Sequence, residues 1–315
     1  MNRSNCAGIR PEFSVVIPVF NGMGTIGETL ESFVDQRIDV PWEVVVADNG
    51  STDGTRDLVR SLVSGFPVPL RLVDASARRG AAYARNLGVL AAEGDAIGFC
   101  DSDDRVGVGW IAAALQGLVG ADAVGGPLRE LRTPHRADSP IIRSSVEMSQ
   151  VTGEPMVIGT GNLVIRRDVF MEIGGFDMSM QGYGGEDNEF ALRLREAGVE
   201  PAVSDELVLY FRRATRVRTM LRKVWSAARA EALIWHKHPN IFPAENRRTW
   251  YLLVAVEFPR VVVGECRRRN FCGAARFAVR RAGNVYERLF GVKAVAPAEL
   301  IQSMQAPLEI TRSDV

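Results

Sequence analysis

The stretch Phe13–Asp48, FSVVIPVFNGMGTIGETLESFVDQRIDVPWEVVVAD, places an apolar run (Phe13 to Phe20), a helical segment (Thr25 to Gln36) and a second apolar run (Trp42 to Asp48) in direct succession. In the middle segment Ile26, Leu30, Phe33 and Val34 recur at helical spacing. Two short β-branched runs around a 3.6-residue period predict strand, crossover helix, strand, the repeating unit of a parallel sheet. The order continues outward. After the loop Asn49–Gly54, which ends in a helix-capping pattern, the sequence predicts a helix over Thr55–Val63, a strand over Leu70–Asp74, a helix over Gly80–Ala92 and a strand over Asp95–Cys100. The fold class expected is α/β, a Rossmann-like, mostly parallel sheet flanked by helices.

Beyond Trp110 the pattern loosens. A helix to Leu118 and a strand near Ala121–Val124 precede a Pro- and Arg-containing stretch, Pro127–Pro140, that reads as an irregular loop. Pro155–Ile165 and Pro201–Phe211 read as strands, Asp168–Ile173 and Asn188–Ala197 as helices. From Arg216 the pattern is helical: Val217, Leu221, Val224, Ala228 and Ala232 share a face opposite Arg218, Arg222 and Arg229. After Val292 a Pro-dotted tail has little periodicity.

The formal charge of the 315 residues is zero, yet it is unevenly spread. Up to Phe211 thirty Asp and Glu stand against eighteen Arg and no Lys, whereas Arg212–Arg288 holds eighteen Arg and Lys against five Glu. Two modules are expected on this ground: 1–211, acidic, and 212–315, a basic helical extension with a loose tail. Cys6, Cys100, Cys266 and Cys272 have neither the number nor the spacing of a disulfide framework or zinc site. Met1–Pro11 lacks the apolar core of a signal peptide, and Trp250–Gly264 is interrupted by Glu257, Pro259 and Arg260. A cytoplasmic protein is expected. The Arg and Lys beside Trp225, Trp235, Trp250 and Tyr251 also suit a peripheral contact with an anionic membrane surface; no nucleic-acid module accompanies them.

Two acidic clusters carry the chemistry. Asp101-Ser102-Asp103-Asp104 ends the apolar run Ala96–Cys100, and ligands of open parallel sheets bind at such strand ends. Oxygen ligands suit Mg2+ or Mn2+, which keep one or two carboxylates and take phosphate oxygens besides. Asp103 is the expected metal ligand, with Asp101 at the metal, a ribose hydroxyl or a supporting position. Taken alone, an Asp-x-Asp run serves equally in turns and caps. Glu186-Asp187 opens a helix behind Gly182-Tyr183-Gly184-Gly185, where acids also favour the helix dipole. A glycine-rich loop lets substrate approach, so Asp187 is the expected general base, with Glu186 beside it. His236 and His238 read as surface residues, with metal ligation as the alternative.

A competing motif is Gly22-Met23-Gly24-Thr25-Ile26-Gly27, a literal GxGxxG between strand and helix with Asp48 downstream. It would make the protein a dinucleotide-dependent oxidoreductase. The residues Pro18–Asn21 intervene before the first glycine, whereas that fingerprint turns directly off its strand. A non-catalytic sugar-nucleotide binding module is a further alternative.

Val15-Val16-Ile17-Pro18-Val19-Phe20-Asn21, Val46–Thr55, Ala84-Arg85-Asn86, Asp101–Asp104, Gly174-Gly175-Phe176-Asp177 and Gly185-Glu186-Asp187, in this order, resemble glycosyltransferase family 2. The resemblance covers about residues 13–211. It implies a GT-A fold, a nucleoside diphosphate sugar donor (a UDP-sugar foremost), an acceptor hydroxyl on a glycan, lipid-linked or small-molecule substrate, a divalent metal (Mn2+ or Mg2+) and inversion at the anomeric carbon. It puts Pro18, Phe20, Asp48 and Asn49 around the nucleotide base with Gly80 and Arg85 nearby. It further puts Asp101 and Asp103 at ribose, diphosphate and metal, Gly161 and Asn162 beside sugar or acceptor, and Asp187 as base. Two positions depart from the pattern. Asn49 stands where many members have a second Asp, and Tyr210-Phe211-Arg212-Arg213 lacks the His many members use as a further ligand. Arg212 or Arg213 is expected to neutralise the diphosphate instead.

Overall fold

A computed structural model describes residues 10–132, 140–148, 155–157, 159–180, 185–213, 217–238, 240, 271–286 and 300–304. The predicted alternation is present as β1 (Phe13–Val19), α1 (Ile26–Val34), β2 (Trp42–Asp48), α2 (Thr55–Val63), β3 (Leu70–Asp74), α3 (Ala81–Ala91) and β4 (Ala96–Phe99). There follow β5 (Arg105–Val106), α4 (Trp110–Gly117), β6 (Ala123–Gly125), β7 (Pro127–Glu130), β8 (Ile141–Ser144), β9 (Val146–Met148) and β10 (Pro155–Val157). A short 3-10 turn, Thr160–Asn162, leads to β11 (Leu163–Arg166), α5 (Arg167–Ile173), α6 (Glu186–Glu196), β12 (Ala202–Val203), β13 (Leu209–Phe211), α7 (Val217–Lys237) and α8 (Phe271–Tyr286).

The main sheet has seven strands in the order β12-β6-β11-β4-β1-β2-β3. β4, β1, β2 and β3 run parallel, and β11 enters antiparallel between β4 and β6. Strand order reverses between β1 and β4, and ligands of open α/β sheets bind outside the carboxyl ends of the strands at such a switch point. Every residue of β2, and all of β1 but Pro18, is buried. Burial on both faces is why these strands read as near-continuous apolar runs. On one face Phe13, Val15, Ile17, Val44 and Val46 meet Ile26, Leu30 and Phe33 of α1 and Trp110 of α4. Trp110 stands edge-on to both Phe13 and Phe33. On the other face Gly88 of α3 admits Val16 so closely that a Cβ there would lie 2.5 Å from Cγ1 of Val16.

Pro127–Pro140 is not an irregular loop throughout. Pro127–Glu130 is a strand, pairing with β8 and β13 in a second sheet ordered β5-β13-β7-β8, and residues 133–139 lie outside the described residues. Pro127 tolerates this place because it opens the strand. The run expected over Pro155–Ile165 is two strands divided by the 3-10 turn.

The chain forms two compact units, one of Met1–Met178, Arg193–Arg212 and Ala298–Val315, the other of Ser179–Leu192 and Arg213–Pro297. The second unit takes in the Glu186–Asp187 turn along with the basic helical stretch. Within it α7 packs on α8, and Ala228 and Ile234 of α7 are buried. No helix among the described residues is long and apolar enough to cross a membrane; Trp250–Gly264 lies outside them.

Candidate active site

The loops at the switch point hold one another. Leaving β1, Asn21 adopts a positive φ of 52° and its Oδ1 accepts the Thr52 N–H at 2.8 Å. The Asn21 N–H donates to Ser51 Oγ, the Gly22 N–H to Thr55 Oγ1 and the Met23 N–H to Asp53 Oδ2. A GxGxxG loop binds a pyrophosphate with such backbone donors. Here the donors of Gly22 and Met23 are spent on the first residue of α2 and on the β2–α2 loop, and Gly27 lies inside α1. Asp53 also accepts from Thr55, which first of all holds its carboxyl below the usual carboxylate range.

Asp48 ends β2 fully buried, accepting the N–H groups of Gly50 and Ser51, with Arg56 at 3.7 Å. Asn49 is a clasp between loops: Nδ2 donates to the carbonyls of Ala75 (2.6 Å) and Arg78 (2.7 Å), and Oδ1 accepts the Gly80 N–H at 2.8 Å. This sets Gly80, φ +129°, at the start of α3. Phe20, half exposed, has the Arg79 guanidinium 6.0 Å from its ring centre, and Pro18 stands two residues before it in β1.

At the carboxyl end of β4, the Arg85 Nη2 donates to Asp101 Oδ1 at 2.7 Å. Arg85 is buried on α3 and its guanidinium lies 5.6 Å from the ring centre of Phe176. That ring is fixed in turn, since Asn86 donates to the Phe176 carbonyl and accepts its N–H. Thus Arg85-Asn86 and Gly174–Asp177, distant in sequence, form one structure. Gly161 touches the acidic loop from the other side: a Cβ on it would stand 3.1 Å from Asp101 Oδ2 and 3.8 Å from Asp104 Oδ2. Asn162, fully buried, points away from that loop. Its Oδ1 accepts the Trp110 indole N–H and its Nδ2 donates to the Leu207 carbonyl.

Asp104 is buried, and burial, then the charges of Asp101 and Asp103, push its carboxyl well above the usual range. The Arg212 N–H at 2.9 Å and the Arg212 charge oppose the shift. Arg212, leaving β13, also donates Nε to the Asp103 carbonyl and Nη2 to Glu28 Oε2 at 2.8 Å. Neither Asp104 nor Glu28 was singled out from the sequence; the acidic run pointed to the former, but nothing in it shows which carboxylate is buried. Asp101 and Asp103 are carboxylate oxygen donors of the kind a hard divalent cation takes, and their charges are the ones that, after burial, raise Asp104. No group of three or more His, Cys, Asp and Glu side chains able to hold a metal occurs among the described residues.

The structure brings Arg85, Asp101, Gly161, Arg212 and the Asp103–Asp104 loop together, and joins Asn49 to Gly80. Glu186 and Asp187 belong to the second unit, as does Arg213. Asp187 Oδ1 accepts the N–H groups of Gly185 (3.2 Å) and Asn188 (2.9 Å), and Glu186 is buried. His238 is no surface residue: it is buried beside the buried Glu189.

This mostly parallel α/β sheet, which carries an Arg–Asp pair and further carboxylates at its switch point, has the architecture of the GT-A structural neighbours. The chain belongs to glycosyltransferase family 2, whose family model, "Glycosyl transferase family 2", matches residues 14–174, just over half its length. A match to the "N-terminal domain of galactosyltransferase" covers residues 147–222. Among curated relatives, glycosyltransferase AglE of Haloferax volcanii is 26% identical over 71% of this chain and 74% of its own length. The validoxylamine A glucosyltransferase of Streptomyces hygroscopicus subsp. jinggangensis is 29% identical over 74% of this chain and 62% of its own, less than two thirds of that relative. Of solved structures, the mannosyltransferase PcManGT of Pyrobaculum calidifontis, in complex with GDP-Man and Mn2+, covers 89% of both chains at TM-score 0.60 and 20% identity. S. aureus TarS in complex with UDP-GlcNAc covers 88% of this chain and 92% of its own at TM-score 0.52 and 16% identity. The protein is thus a glycosyltransferase, which sets aside the oxidoreductase and the non-catalytic module.

Proposed function

We propose that this glycosyltransferase moves a sugar from a nucleoside diphosphate sugar to an acceptor hydroxyl in one inverting displacement. The observation that carries this reading is the Arg85–Asp101 pair at the switch point, with Asp103 and Asp104 beside it and Gly161 against it. Phe20, Pro18 and Arg79 offer the nucleotide an apolar face and a cation, on a floor held by Asp48, Asn49 and Gly80. Asp103, with Asp101 beside it, is the ligand for Mn2+ or Mg2+, which when bound offsets charge on the departing diphosphate. Arg212 adds a fixed positive charge at the same loop, with Arg213 next in sequence. Asp187 is the general base: its two backbone bonds engage Oδ1, and Oδ2 has no hydrogen bond among the described residues. The acceptor is a glycan, a lipid-linked sugar or a small molecule.

Asp187→Asn is expected to lower turnover on the order of 10²–10⁴-fold while donor affinity holds, and Asp103→Ala to weaken Mn2+-dependent donor binding. Turnover and calorimetry on a panel of nucleotide sugars check both; wild-type turnover in Asp187→Asn removes that assignment. For the arginines, an Arg212→Ala, Arg213→Ala pair as active as wild type at every Mn2+ concentration would refute their role.

The basic helical stretch is proposed to rest on an anionic membrane surface from the side where sugar nucleotides are made. Arg218, Arg222 and Arg229 are exposed along one face of α7, and each cation near such a surface contributes on the order of 1 kcal/mol. Sedimentation with anionic vesicles should fall as salt rises; equal sedimentation with neutral vesicles would rule the contact out.

A further inference from the structure

Within the second unit, Ser179, Gly185 and Glu189 each meet the C-terminal part of α7 or the residue that follows it. Lys237 Nζ donates to Ser179 Oγ at 2.7 Å. Gly185, φ +132°, lies so close to α7 that a Cβ on it would stand 2.4 Å from the Cβ of Ala230. His238 and Glu189, 6% and 2% exposed, bring Nε2 and Oε1 to 3.5 Å. The middle contact leads directly to the carboxylate, because the Gly185 N–H donates to Asp187 Oδ1 and the Gly185 carbonyl accepts the Glu189 N–H that opens α6. The backbone seated on Ala230 therefore aims the carboxylate on one side and starts its helix on the other.

We infer that Ala230 is a positioning residue for the transfer reaction, acting through Gly185 on the aim of Asp187, and that Lys237 and His238 hold this end of the helix against the same unit. The inference rests on Asp187 being the base. Ala230 is small because the Gly185 backbone needs the space; a branched side chain there lifts Gly185 and turns its N–H from Oδ1. A displacement of about 1 Å at a reacting group can cost on the order of 10²-fold in rate.

The test is Ala230→Val in the full chain, read by turnover, by donor affinity and by a double-mutant cycle with Asp187→Asn. Expected are a fall in turnover of about ten- to a hundredfold, donor affinity within about twofold of wild type, and no further loss when the substitution is added to Asp187→Asn. Ala230→Ser, nearly the same size, should keep wild-type turnover. Unchanged turnover in Ala230→Val, or a loss that multiplies fully with that of Asp187→Asn, overturns the inference. The base assignment is decided separately, by Asp187→Asn alone. If Ala230→Val does not fold, Lys237→Met and His238→Gln carry the test: a smaller loss of turnover with unchanged donor affinity supports the support role, and wild-type turnover in both overturns it.

Discussion

At Asn49 an amide does what the carboxylate common at this place could not. An Asp has no proton to give the carbonyls of Ala75 and Arg78, both now within 2.7 Å of Nδ2, and would set charge against them. Asn49→Asp is therefore expected to destabilise the fold by about 1–3 kcal/mol, the cost of leaving such groups unpaired, and to loosen the turn before Gly80. Chemical denaturation checks this, and an unchanged unfolding midpoint would contradict the clasp. The departure was visible in the sequence but its bonds were not: the resemblance places Asn49 near the nucleotide base, and the loop geometry shows the side chain bonded to Ala75, Arg78 and Gly80. Asn162 is the same kind of case, since nothing local says that its amide joins Trp110 to Leu207.

At the level of elements, glycines separate the parts of the chain that packing decides from those it leaves open. In β4 a Cβ on Gly98 would stand 2.6 Å from the Trp110 ring and 2.8 Å from that of Phe13, both inside the core. Gly98→Ala should cost about 1–3 kcal/mol through overpacking, whereas Gly24→Ala, with nothing within 4 Å, should be neutral or slightly stabilising. Thermal melts of the two variants compare them directly; a large loss in Gly24→Ala would revive a constrained glycine loop after β1. The bounds of β2 and β3 were legible to the residue because each is an unbroken run between loop signals. β7 was not legible: it is half polar, and its parallel partner β13 is distant in sequence, so pairing rather than local pattern makes it a strand.

For the molecule as a whole, ligand linkage offers the broadest check. UDP or GDP with Mn2+ at a hundred times its dissociation constant stabilises the folded state by about 2.7 kcal/mol; at about 2–4 °C per kcal/mol for a domain of this size, the melting temperature should rise on the order of 5–10 °C. NAD should leave it unmoved, and the opposite order would count against the sugar-nucleotide site. The sequence by itself determined the α/β class, the strand-helix alternation through Phe99 and the acidic loop behind β4, because hydrophobic period and turn residues are local signals that any short segment displays. Only the tertiary structure decided that Asp104 is the buried carboxyl, that Arg85 answers Asp101, that Asn49 binds its own loops and that Ser179–Leu192 packs with the C-terminal helices. Burial and pairing between residues far apart in the chain depend on which elements become neighbours, and that is a property of the packed molecule that no single segment carries.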